Sequence, residues 1–196
     1  MKRPVFWFFI FFLNFAAAVC ALEEPSLTTH YVAGVSFKVP TLWKRQSPLT
    51  STKRIQYEIT PPEGEKIPGI FSVLYYGWGE AETSPATVAK WRSEFSEPPL
   101  GFEPEIYGGS VDDLKISTLW FEGTYRDPDE KEGKPQKGFA MLGAIIEGPE
   151  GPVFFKLVGP RATVLSAHPA FDTLIRSIHK SELKPEKRKK KRKRFN

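Results

Sequence analysis

Eight consecutive positive charges, Lys187, Arg188, Lys189, Lys190, Lys191, Arg192, Lys193 and Arg194, are the densest chemistry in the sequence. No apolar residue interrupts them, so the run repels itself and is expected to stay unfolded in water. Its chemistry is the binding of anionic surfaces, where each charge contributes about 1 kcal/mol at physiological salt. Anionic lipid, lipopolysaccharide and nucleic acid all qualify. Binding to nucleic acid would ignore base sequence, since nothing here places a helix or ribbon in a groove. The run also has the composition of a nuclear localisation signal, a route that the N-terminus argues against. The plainer alternative is a solubilising extension.

The other reactive residue types are scattered. Tyr75-Tyr76-Gly77-Trp78-Gly79 follows a strand and precedes a helix, but it lacks the third glycine and the Gly-Lys-Ser/Thr of a phosphate loop. It reads as a strand end, with a Tyr76–Trp78 docking patch as the alternative. Asp127, Asp129, Glu130 and Glu132 miss the calcium-loop pattern at Lys131 and Gly133, so a solvated hairpin tip is expected. His30, His168 and His179 read as a residue of a mobile N-terminal stretch, a helix-start residue and a residue near a helix end. Asp112 and Asp113 are adjacent and read as a turn before a strand. Lys156 lies in an apolar strand on the face of Phe154 and Val158, which predicts a covered and paired lysine of structural or interface use. No Gly-x-Ser-x-Gly, His-Glu-x-x-His or Ser-x-x-Lys occurs. No catalytic residue, metal ligand or cofactor is therefore assigned.

The chain has 196 residues, one cysteine and a net charge of +5. The cysteine count excludes an intrachain disulfide and a cysteine-rich zinc site. The charge is divided unevenly. Residues 184–196 carry nine basic residues and Glu186, and Lys2 and Arg3 add two more charges, which leaves 22–183 near −5. A basic isoelectric point thus belongs to the tail and not to the domain. At the other end, Lys2 and Arg3, the apolar run 5–13 and the small residues 16–21 have the form of a secretory signal cleaved before Leu22. The alternatives are an uncleaved anchor over 5–22 and a lipidated Cys20, although Val19 and Ala17 are off the lipoprotein pattern. The expected organisation is a signal at 1–21, one domain at 22–183 and an unfolded polybasic tail at 184–196. The expected location is periplasmic or extracellular.

Within the domain, Val35, Phe37 and Val39 alternate with polar residues, as do Ile55, Tyr57 and Ile59; both runs predict half-buried strands. Residues 69–76 are apolar almost throughout and predict a central strand. Ser84, Pro85 and the spacing of Val88, Trp91 and Phe95 predict a helix ending before Pro98. Strand texture returns over 114–123, 139–147 and 153–158, the last two joined by a Gly148–Pro152 turn. Phe171, Leu174, Ile175 and Ile178 predict a second helix, with Pro169 in its first turn. Residues 126–138 read as a long polar loop. Strands, helix, strands, helix with short turns make an α+β domain with a mostly antiparallel sheet.

The segments Val35-Ser36-Phe37-Lys38-Val39-Pro40 with Trp43, Lys90-Trp91-Arg92 with Phe95, and Phe154-Phe155-Lys156-Leu157-Val158-Gly159-Pro160 with its trailing helix resemble, in texture and order, PsbP-like proteins. That fold is named for the extrinsic lumenal subunit of photosystem II and includes exported bacterial proteins. The resemblance spans 30–180. It implies an antiparallel sheet with helices on both sides, an α/β/α sandwich, and a role in binding other proteins. The expectation is a non-enzymatic exported module whose partner is an unknown protein or an anionic envelope component, with membrane contact through the tail or an uncleaved N-terminus. The alternatives are an enzyme using a pocket between sheet and helix, with acids such as Glu58 or Asp113, and a membrane-anchored structural protein.

Overall fold

Alternating apolar side chains build the strands, and the side to which each points decides which layer covers it. The computed structural model describes residues 26–48, 50–77, 84–130 and 133–181. In chain order the elements are β1 (Leu27–Val32), β2 (Val35–Pro40), β3 (Lys44–Gln46), β4 (Lys53–Ile59), β5 (Gly69–Leu74), α1 (Ser84–Ser93), β6 (Phe95–Ser96), β7 (Glu105–Val111), β8 (Leu114–Tyr125), β9 (Gln136–Gly148), β10 (Gly151–Pro160), α2 (Arg161–Arg176) and β11 (His179–Lys180). Every strand pairing among them is antiparallel. The main sheet runs β3-β4-β5-β10-β9-β8-β6, with β7 alongside the first half of β8; β1, β2 and β11 form a second, small sheet. This is the expected α+β class.

The two faces of β10 define the layers. Val153, Phe155 and Leu157 point to one side, into a core shared with α2 and the small sheet. There the ring of Phe155 lies 4.7 Å from that of Phe37 and 5.7 Å from that of Phe71. Phe154 points to the other side, with Leu74, Leu119, Phe121, Met141, Ile145 and Trp91 of α1. One helix thus covers each face. Each fully buried aromatic or aliphatic side chain contributes about 1.5–3 kcal/mol.

Several expectations change. The second helix begins at Arg161, directly after β10, and Pro169 lies inside it. The apolar stripe already starts at Thr163, Val164 and Ala167, all buried, and packing on that stripe outweighs the backbone bond that proline removes. Ile178 is buried but lies past the helix end, and Phe95 belongs to β6 rather than to α1. The strand expected over 69–76 stops at Leu74. His30 sits not in a loose leader but in β1, 9% exposed, with Nε2 2.7 Å from the Tyr57 hydroxyl. Burial, and then the charge of Arg45, hold the His30 imidazole below its ordinary range. The polar loop is shorter than expected, because β9 already starts at Gln136. Asp112 and Asp113 form the two-residue β7–β8 turn with φ of 48° and 59°, a left-handed conformation that aspartate tolerates.

Candidate functional site

Three adjacent strands place a polar row across an otherwise apolar sheet. Gln56 of β4 is in register with Ser72 of β5, and Ser72 with Lys156 of β10. Lys156 is in register with Gly143 of β9. Gly143 has no side chain because Trp91 of α1 lies on it: a Cβ there would be 2.7 Å from the indole Cζ3. The row is therefore polar on one half and glycine-floored on the other, and α1 covers only the glycine half. The uncovered half is the floor of a cleft of about 720 Å³.

The walls come from α1 and the loop after β8. Glu94, just past the end of α1, accepts from the Lys156 ammonium, and both side chains are nearly buried. The same ammonium lies 5.5 Å from the centre of the Tyr125 ring. The Glu94 carbonyl accepts from the Arg126 amide at 2.9 Å, which ties the loop's start to the helix end. The loop then turns through Asp127 to Glu130, and Asp129 pairs with Lys53 of β4 at 2.7 Å. Asp127, Asp129 and Glu130 of the expected solvated tip thus line the cleft, with Asp129 and Glu130 still exposed to water. Burial pushes the Glu94 carboxyl above the ordinary glutamate range, while Lys156 pulls it back. Burial, with Glu94 next, also raises the Tyr125 hydroxyl.

Two features bear on what the cleft holds. Lys53, Lys90, Lys134 and Lys156 line it against Glu94, Asp127, Asp129 and Glu130, so its formal charges balance. On the floor, the Gln56 side-chain oxygen is buried with no hydrogen-bond partner. An unmet acceptor of this kind costs about 1–3 kcal/mol.

The other sequence candidates lie elsewhere. Glu58 pairs with Lys44 and accepts from Gln46, outside the cleft lining. Asp113 is on the β7–β8 turn, its side chain 94% exposed. Asp112 accepts from the Lys180 amide and lies 3.7 Å from His179, so it anchors β11. His168 lies 3.6 Å from Asp172 on α2. Among the described residues no three His, Cys, Asp or Glu are grouped to hold a metal ion. Tyr76 packs edge-on to Phe154 and lines the cleft, whereas Trp78 and Gly79 fall outside the described residues. So do Glu132, the N-terminal segment with Cys20, and the whole basic run 187–194. The sequence singled out Lys156 but not Glu94, Gln56, Ser72 or Tyr125. Gln56 read as the solvent side of a half-buried strand, and Ser72 as the lone polar residue of an apolar run.

Comparison by sequence gives no match to a family model and none to a curated protein. Comparison by structure does. LpqN of Mycobacterium tuberculosis, described as involved in cell envelope biogenesis, matches with a TM-score of 0.52 at 12% identity, over 80% of this chain and 90% of that one. The cyanobacterial PsbP of Synechocystis matches with a TM-score of 0.48 at 14% identity, over 81% and 95%. The fold is PsbP-like. At these identities the likeness is one of fold alone. Within the PsbP-like frame described above, the cleft is the space that α1 leaves open over β4, β5 and β10. No helix among the described residues is long and apolar enough to cross a membrane.

Proposed function

We propose that the chain is an exported binding module, without enzymatic activity of its own, that takes a neutral hydrogen-bonding ligand in the cleft. Residues 187–194 hold it to an anionic component of the envelope. One observation carries the reading: a charge-balanced cleft floored by the polar row Gln56, Ser72 and Lys156, in which the buried Gln56 side-chain oxygen has no partner within the protein. A ligand rich in hydroxyl or amide groups would pair with this row, meeting the Gln56 oxygen once the amide turns toward the cleft, without upsetting the ion pairs. Export is supported by the form of residues 1–21. LpqN, which shares the fold, is described as involved in cell envelope biogenesis, which supports an envelope role.

The test is a pull-down from envelope extracts using the whole chain, Gln56→Leu, and a chain lacking 185–196. Gln56→Leu should lose the small molecule that co-purifies with the parent protein, as read by mass spectrometry. The truncated chain should keep it but no longer be retained on anionic material. Turnover in a broad hydrolase screen, abolished by Glu94→Gln with the fold intact, would make the cleft an active site and defeat the proposal.

A further inference from the structure

The outer strands of the main sheet are not equally protected. β3 has three residues, two of them Lys44 and Arg45, and β6 has two. Short length and positive charge are the usual means by which an edge avoids pairing with another chain. β7 has neither. It is seven residues long, Glu-Ile-Tyr-Gly-Gly-Ser-Val, with no lysine, arginine or proline. One side pairs with β8; among the described residues no strand pairs with the other. Ile106 and Tyr107 are 54% and 62% exposed, one on each face of the sheet.

We propose that β7 is the edge through which two copies of this chain associate, β7 against β7, antiparallel about a two-fold axis at Gly108. Gly108 is the middle residue of the strand, so this centre uses all seven residues. It sets Tyr107 of each copy opposite Gly109 of the partner subunit. Cβ atoms built on Gly108 and Gly109 would meet nothing within 4 Å, so there is room for the ring, and an aromatic beside a glycine is a favourable cross-strand pair. Ile106 faces Ser110 and Glu105 faces Val111, so no like charges meet. A two-fold pairing consumes both edges at once and closes, joining two eight-stranded sheets into one instead of starting a fibre. None of these residues belongs to the cleft, so the inference stands apart from the proposed ligand site.

Sedimentation equilibrium of the protein purified from its host should show a dimer at micromolar concentration. Gly108→Lys sets two ammonium groups opposite each other and should raise the dissociation constant about tenfold or more. Its far-ultraviolet spectrum should match the parent. Under mild oxidation, Gly108→Cys should cross-link two copies, whereas Ser110→Cys, which faces Ile106, and the parent protein should not. A monomer at every concentration, a dimer that Gly108→Lys leaves intact, or equal cross-linking by both cysteine variants would overturn the inference.

Discussion

Lys156 and Glu94 show how a buried pair behaves when neither partner is dispensable. Removing one leaves the other as an uncompensated charge, so Lys156→Met should destabilise the fold by about 3 kcal/mol in chemical denaturation at neutral pH. Replacing both with apolar or amide groups should restore much of that loss. The pH dependence has a defined sign. Burial raises the Glu94 carboxyl in the folded state above its ordinary 4.5, so its contribution is fully present below that value and is lost as pH rises through the raised one. Without Lys156 only the weaker pull of the Lys90 charge opposes burial, and the loss at neutral pH grows. The gap between Lys156→Met and the parent should therefore narrow as the pH falls from neutral toward the ordinary glutamate value of 4.5. A gap that stays constant from about pH 4 to 8 would show that Glu94 is not the group involved.

Among the elements, α1 makes its tightest contact on the sheet through Trp91, which lies on Gly143. Gly143→Ala puts a methyl 2.7 Å from the indole and should cost about 1–3 kcal/mol by overpacking. Trp91→Ala should cost about 3–5 kcal/mol, and the two changes should be strongly non-additive because they act on one contact. Thermal melts of the two single variants and the double variant would measure this; additive losses would mean that α1 docks elsewhere. The same contact shows what was legible beforehand. The period of two in β2 and β4 betrayed those strands, the nearly continuous apolar run betrayed β10, and Trp91 betrayed the helix, because each packs into an apolar layer. β7 was hidden by its Gly-Gly and by having little to bury. The start of α2 was hidden by a proline that usually marks a beginning. Lys156 was legible as a lysine in need of a partner, but Glu94, 62 positions away, is brought to it only by the way α1 ends. The cleft itself follows from where a helix stops covering a sheet, which no local pattern records.

For the whole molecule, charge division is the leading property: near −5 over 22–183 against +8 over 184–196. Binding to heparin, DNA or anionic vesicles should reside in Lys187 to Arg194, because the acidic domain is repelled by the same polyanions. For duplex DNA, neutralising eight phosphates gives a slope of log affinity against log salt approaching about −7. Deleting 185–196 should abolish the binding and leave the melting temperature unchanged, as read by fluorescence anisotropy and calorimetry. Comparable binding by the truncated protein would move the site onto the folded domain. The small sheet adds a question of timing. β2 pairs at once with β1, its neighbour in sequence, but its second partner, β11, lies 143 positions downstream, and the Ser181 amide then closes onto Gly34. A chain emerging from its N-terminus therefore carries one unpaired flank of β2 through nearly the whole of its synthesis. Loop closure of that length is slow compared with a hairpin. Folding of this protein should accordingly end where it began, with β2, and until then that flank is open to any holding chaperone or protease that reads an unpaired strand.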